Sequence, residues 1–204
     1  MKLLFATSNA GKLRELRELV GSLFEVVSPA DVPGLPDIVE DEQTFEGNAR
    51  KKAVACARAS GLPSLADDSG LCVDALGGGP GVKSARYALG SDVQRSAKLL
   101  EEMSGVPEAQ RGAEFRCALC LALPNGEQVI ETGECAGRIA TAARGQNGFG
   151  YDPIFVLSKL GKTMAELTPD QKSQISHRGE AFRRMKPHLL ALAEGKSIRG
   201  DHLR

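Results

Sequence analysis

The chain has 204 residues, 42% of them apolar and 25% charged, with 26 Lys+Arg against 26 Asp+Glu. These are the proportions of a soluble globular protein. They exclude disorder, a collagen-like fibre and a pure coiled coil, and the length accommodates one large domain or two lobes sharing a core. Balanced charge argues against a nucleic-acid partner, because binding along a phosphate backbone shows as a basic excess.

No apolar run approaches the roughly 18 residues that cross a bilayer, and the apolar stretch in the opening MKLLFATSNAGK is too short for the core of a secretion signal. A cytoplasmic setting without a membrane partner is therefore expected. The five cysteines are odd in number and scattered, which fits a reduced compartment better than a disulfide framework. Cys117 and Cys120 form a C-x-x-C, a spacing used for zinc or redox chemistry. Their surroundings, FRCALCLAL, read as a buried strand on which positions three apart face opposite sides, and no second pair or nearby His completes a site. Plain buried thiols are the favoured reading.

In chain order, Lys2 to Ala6 reads as a strand, followed by a helix from about Gly11 to Val20 with Leu13, Leu16, Leu19 and Val20 on one face. Thr7, Ser8 and Asn9 offer caps at its start. A strand is expected near Phe24 to Ser28, then a proline-bearing loop over 29–42 that ends in Glu40-Asp41-Glu42. Thr44 caps a helix to about Ser60, with Phe45, Ala49, Ala53 and Cys56 inward. Ser64 to Ala66 and Leu71 to Leu76 read as two short strands around Asp67-Asp68-Ser69-Gly70, and the loop Gly77 to Gly81 follows. Ser91 caps a helix to about Met103. Strands Glu114 to Leu123 and Gln128 to Cys135 flank Pro124-Asn125-Gly126-Glu127, whose Asn-Gly pair signals a hairpin. The glycine-rich turn Asn147 to Asp152 leads into a strand from Pro153 to Val156, and a helix from about Ser176 to Ala193 carries Pro187. Parallel-type and hairpin-type connections together imply an α/β fold with a mixed sheet, and no linker divides residues 1–204.

Four segments carry chemistry. Thr7 to Lys12 joins a strand to a helix start, where free N–H groups, the helix dipole and Lys12 attract an anion. The full P-loop pattern is absent, so a merely capped helix with an exposed lysine stays open. Asp67-Asp68, with the acidic loop at Glu40, bunches carboxylates that repel one another unless a cation joins them, and Mg²⁺ is the usual partner where phosphates are near. Neighbouring side chains on a strand point opposite ways, so one of the two aspartates faces the site. Phe149-Gly150-Tyr151-Asp152 places two aromatics among glycines, suited to stacking on a base, although a hydrophobic plug remains open for Tyr151. Lys172 to Gly179 puts His177 and Arg178 in the first turn of a helix, where the dipole disfavours cations; the conflict points to an anionic ligand or to carboxylate partners. A metal–triphosphate bearing a base would use every part.

These segments closely resemble the non-standard purine nucleoside triphosphate pyrophosphatases, which act on inosine and xanthosine triphosphates and their deoxy forms. The resemblance is carried by TSNAGK (7–12), EDEQTFEGNA (40–49), LADDSGL (65–71), LGGGPGVKSARYA (76–88), GFGYDPIF (148–155) and KSQISHRG (172–179). Ser8 and Lys83 depart from the residues often found in the family. The resemblance implies an elongated mixed β-sheet flanked by helices, with two lobes and a substrate cleft between them, a homodimer, and a Mg²⁺-dependent cut that releases nucleoside monophosphate and pyrophosphate. Such an activity clears non-standard purines from the nucleotide pool before they enter DNA or RNA. It further implies that Thr7, Ser8, Asn9, Ala10, Gly11 and Lys12 bind the triphosphate. Asp68 is implied as the catalytic, metal-associated aspartate, with Glu40 as a second metal-site carboxylate and Ser69 as a substrate contact. By the same resemblance Lys52 and Lys172 would contact phosphate or base, and Phe149, Gly150, Tyr151 and Asp152, with His177 and Arg178, would form the base pocket.

On this reading Asp68 holds the metal and accepts a proton from the attacking water, although an unperturbed Asp, with a pKa of about 3.9, is a weak base. A donor from Arg178, Lys172 or a backbone N–H, aimed at the 6-oxo group, would meet another donor in adenine. Two rivals remain: the septum-inhibitor-like nucleotide pyrophosphatases, and a non-catalytic sensor of Mg²⁺–triphosphate.

Overall fold

The structure is a computed structural model and describes residues 1–199. Seven strands form one mixed sheet in the order β2-β1-β3-β4-β5-β6-β7, flanked by helices. The strands are β1 Lys2–Phe5, β2 Glu25–Val27, β3 Ser64–Val73, β4 Gly112–Ala122, β5 Gln128–Ile139, β6 Phe155–Leu157 and β7 Lys162–Thr163. The helices are α1 Ala10–Val20, α2 Phe45–Ser60, α3 Asp92–Glu102, α4 Pro169–Ile175 and α5 His177–Ala193. β1 runs parallel to β2 and β3, whereas β6 is antiparallel to both β5 and β7. The mixed α/β reading of the sequence therefore holds. Among the described residues no helix is long and apolar enough to cross a membrane.

The chain gathers into two compact units. Among the described residues, one comprises Met1–Asp68, Cys117–Gly133 and 178–199; the other comprises Ser69–Arg116 and Glu134–His177. The core of the first is built from β1, α1, β4 and α5. Leu3, Phe5, Leu16, Val20, Leu119 and Met185 are buried there, and Leu13 and Leu19 pack on its margin, as the spacing along α1 requires. The core of the second gathers Leu71, Leu99, Phe115, Ile139, Phe155 and Met164. Here Arg111 is almost fully buried and has carbonyl oxygens around it: its guanidinium donates to Ile139 at 2.8 Å, Met103 at 2.8 Å, Ala140 at 2.7 Å and Val106 at 3.3 Å. Those bonds tie the end of α3 to the end of β5 and replace the water that the buried charge has lost.

Three expectations about the elements change. Asp67 to Gly70 does not interrupt a pair of short strands: β3 runs unbroken from Ser64 to Val73, and residues 74–76 form a short 3-10 turn. A 3-10 segment also spans Gly81–Arg86, and the seven-residue helix α4 precedes the last helix. Ser176 ends α4 in extended backbone conformation, and α5 opens directly at His177. The Asn125-Gly126 hairpin forms as expected, with Leu123 N–H donating to the Glu127 carbonyl at 2.8 Å.

Gly137, on β5, is fixed by close approach. A Cβ there would lie 2.6 Å from the Phe155 ring and would also meet the Val156 carbonyl. Since the obstruction includes backbone of the paired strand, it cannot relax by turning a side chain. Gly137→Ala is expected to cost about 1–3 kcal/mol in urea unfolding, the range typical of overpacking.

Candidate active site

The first unit assembles its polar residues around β3. Alternation along the strand sends Asp67 and Asp68 to opposite faces, as the sequence implied. Asp67 is fully buried and meets α1, α5 and β4 at once: it is ion-paired to the Lys12 ammonium, accepts from Arg178 Nε at 3.1 Å and accepts from the Cys117 thiol at 3.3 Å. Arg178 is ion-paired to Glu15 as well. Burial pushes the Asp67 carboxyl up, but Lys12, Arg178 and Lys52 outweigh it and hold it well below the usual carboxylate range. Burial similarly disfavours the Arg178 charge, and Asp67 and Glu15 more than compensate, so the guanidinium is held protonated. The tension between Arg178 and the start of α5 is thus met by carboxylates of the protein itself.

Asp68 faces α2. Asn48 and Lys52 lie four residues apart on the face that also buries Phe45 and Ala49, and both are buried. Asn48 Nδ2 donates to Asp68 Oδ2 at 2.9 Å, and its Oδ1 accepts from Glu42 N–H at 3.0 Å, which fixes the acidic loop to the helix. Lys52 Nζ donates to the Asp67 carbonyl at 2.6 Å and is ion-paired to Glu40. Burial raises Asp68; Lys52, the Asn48 bond and Lys12 oppose it; Glu40 raises it further; the net value is about 6. Two adjacent carboxylates are thereby driven apart, one permanently ionised and one poised near neutrality, the pattern that marks acid–base assignments.

At the start of α1, Asn9 is the N-cap, its Oδ1 accepting from Lys12 N–H at 3.1 Å, while Thr7 Oγ1 accepts from Asn9 N–H at 3.1 Å. Ser8, Asn9 and Ala10 are exposed and Gly11 is half-buried, so this helix start is open to solvent. Lys12 reaches inward to Asp67.

The second unit holds Ser69, the aromatic turn, Lys172 and His177. Phe149 N–H donates to Asp152 Oδ2 at 2.9 Å, and Lys172 Nζ donates to the same oxygen at 2.6 Å. The Lys172 ammonium lies 4.7 Å from the centre of the Phe149 ring. Tyr151 is buried in the core of this unit and its hydroxyl donates to the Ser84 carbonyl at 2.9 Å, which agrees with the plug reading for that ring. His177 is buried and stacks on Phe115, with centroids 4.8 Å apart and planes 15° apart. The predicted residues therefore fall into two sets: Thr7 to Lys12, Glu40, Lys52, Asp68 and Arg178 in the first unit, and Ser69, Phe149 to Asp152, Lys172 and His177 in the second. Sequence reasoning passed over Asp67 as the charge hub, and over Asn48 and Phe115. The available signal for Asn48 was a polar residue on the apolar stripe of α2, four positions before Lys52.

All five cysteines are free, with Cys117 and Cys120 buried in β4. Burial, reinforced by Asp67, pushes the Cys117 thiol well up, and burial pushes Cys120 up to about 12. Neither is poised as a thiolate.

The Ham1 family model matches residues 3–188. A dITP/XTP pyrophosphatase of Anaeromyxobacter dehalogenans is 50% identical, over 96% of this chain and 100% of that protein. One from Lactiplantibacillus plantarum is 52% identical, over 90% of this chain and 92% of its own length. Among solved structures, a HAM1 protein from Coxiella burnetii superposes with a TM-score of 0.83 at 40% identity, covering 95% of this chain and 99% of that one. The split aspartate pair, the lysine-bearing helix faces and the aromatic turn thus belong to a chain that matches one family over nearly its whole length, and this chain is a member of the Ham1 family.

Proposed function

We propose that this chain hydrolyses non-standard purine nucleoside triphosphates (ITP, dITP and XTP) to the monophosphate and pyrophosphate, clearing them from the nucleotide pool. Its relatives at about half identity carry the name dITP/XTP pyrophosphatase over matching lengths. The observation that carries the chemistry is Asp68, buried beside Lys52 and Asn48 with its carboxyl raised to about 6.

The donor set suits Mg²⁺. Glu40 is close enough to Asp68 to raise its pKa, and among the described residues no three His, Cys, Asp or Glu side chains gather to hold a metal ion by themselves. Two oxygen donors leave the rest of a shell to substrate and water, which is how Mg²⁺ is commonly held. Asp68 and Glu40 would hold it, and when bound it supplies charge neutralisation on phosphate oxygens and a more acidic water. Asp68 accepts the proton of the attacking water. Without a metal the carboxyl sits near 6; a bound cation would lower it, so the acidity of the metal-bound water would have to make up for a weaker base. Lys52 and Lys12 place positive charge where the phosphates and the leaving pyrophosphate develop negative charge. The exposed start of α1 adds backbone N–H groups for a phosphate. In the second unit Phe149 stacks on the purine, while Lys172 and His177 supply polar contacts that favour a 6-oxo group. We further propose a cytoplasmic homodimer; buried free thiols support a reducing compartment, and light scattering tests the dimer.

Pyrophosphate release measured across ITP, dITP, XTP, GTP and ATP is expected to show kcat/KM at least about a hundredfold higher for the first three than for ATP, the scale set by leaving a buried donor unpaired. Chelation should abolish turnover and Mg²⁺ restore it. Binding without release would indicate a sensor, and equal release from ATP would overturn the purine assignment.

A further inference from the structure

The aromatic turn is gripped from α3. Asp92 is the first residue of α3, after the Ser91 cap, and its Oδ2 accepts from Gly150 N–H at 2.7 Å across 58 positions of sequence. One helical turn later Ser96, which is buried, donates through Oγ to the Gly150 carbonyl at 3.3 Å. Side chains four apart on one helix face thus hold both polar groups of a single residue. That residue has φ +62°, a conformation that favours glycine. The other Asp92 oxygen is ion-paired to Arg95, which fixes the carboxylate in turn.

The consequence falls on Phe149. Its own N–H donates to Asp152 Oδ2 at 2.9 Å, and the next N–H donates to Asp92. The peptide planes before and after the Phe149 Cα are each pinned by a carboxylate, so both backbone torsions that aim this ring are set. Asp152 is held by Lys172, whose ammonium lies beside the same ring. Asp92 grips the turn through the Gly150 N–H.

We infer that Asp92, assisted by Ser96, is a positioning residue that aims the Phe149 ring at the purine and thereby sets base selectivity. This rests on the proposed function, in which Phe149 stacks on the base. Asp92 touches neither phosphate nor metal in this scheme, so its loss should appear in binding of the base and leave the cleavage step intact.

The test is Asp92→Ala, with Asp92→Asn as the conservative variant, since an amide oxygen accepts the same N–H. Steady-state kinetics with ITP and ATP, in saturating Mg²⁺, are combined with product inhibition by inosine monophosphate and by pyrophosphate. In Asp92→Ala, KM for ITP is expected to rise about tenfold with kcat within about twofold, the pattern of lost binding shared by ground and transition states. The ITP-to-ATP ratio of kcat/KM should fall, and inhibition by the monophosphate should weaken while inhibition by pyrophosphate keeps its strength. Asp92→Asn should recover most of this. Ser96→Ala, which loses only the longer bond, should give the same split at smaller amplitude and serves if Asp92→Ala does not fold. A merely structural role would lower thermal stability, with both inhibitors and both substrates affected alike; that result, or an unchanged split in the folded variants, overturns the inference. Failure of the proposed function would show separately, as a parent protein with no preference for ITP.

Discussion

Asp68→Asn is expected to lower kcat about a thousandfold or more, the combined scale of losing a general base and a metal ligand, while leaving the metal-free fold at least as stable as the parent at pH 7. The first half follows from the role given to the carboxylate. The second follows from its environment: burial raises it to about 6, against an ordinary value of about 3.9 in the unfolded chain. A carboxyl raised on folding contributes stability that is fully present below about pH 3.9 and is lost as pH climbs through about 6. Above that, the ionised group opposes folding, relative to its neutral form, by about 3 kcal/mol. Asn keeps the shape, can still accept from Asn48 and carries no charge. In chelator at pH 7, Asp68→Asn should therefore unfold at higher urea than the parent, and the difference should vanish near pH 4. Added Mg²⁺ should stabilise the parent and leave the variant unmoved, because the cation removes the penalty that the mutation removes in another way. Near-parental kcat in Mg²⁺ would refute the catalytic role, and a metal-free variant much less stable than the parent at pH 7 would refute the electrostatic account.

The two helices that open the chain were legible because their apolar spacing and caps agree: Leu16 and Val20 are buried on α1, Asn9 caps it, and Thr44 caps α2. The sequence was misleading at Asp67-Asp68-Ser69-Gly70, a composition typical of turns. The strand continues there because Asp67 is neutralised by Lys12 and by Arg178, the latter 111 positions away, so tertiary pairing overrides local preference. Helix α4 escaped notice because seven residues offer little periodicity; its Thr168 cap, with Gln171 three residues on, was the readable sign. The candidate site residues stand out in the sequence as motifs. Their division of labour does not, since strand alternation says that Asp67 and Asp68 diverge and says nothing of which meets two cations and which meets an amide. Arg178 illustrates the same limit: the resemblance groups it with the base-pocket residues, and the fold buries it against Asp67 and Glu15.

Asp67→Asn should act in the opposite sense from its neighbour. The native carboxylate is fully buried between Lys12 and Arg178, so its removal leaves two cations desolvated for the sake of one partner that no longer exists. Breaking a buried pair in this way costs about 3–5 kcal/mol, and Glu15, which is also paired to Arg178, places the expected loss toward the lower end. The sign with pH is set by the depressed folded value. Such a carboxylate contributes stability that is present above the unfolded value of about 3.9 and is lost as pH falls below it toward the folded value. The parent should thus lose stability steeply below about pH 4, whereas Asp67→Asn, already without that contribution, should show a shallower acid limb. Urea unfolding of both proteins between pH 2 and 7, in chelator, measures the difference, and a variant within about 1 kcal/mol of the parent at pH 7 would show that the network is no better than an exposed pair. In kinetics the variant should raise KM for the triphosphate, because Lys12 and Arg178 lose the anion that fixes them. At neutral pH, then, the same chemical change at two adjacent positions should destabilise the fold at one and relieve it at the other. That difference comes from which face of β3 each side chain occupies, since the two residues are otherwise identical.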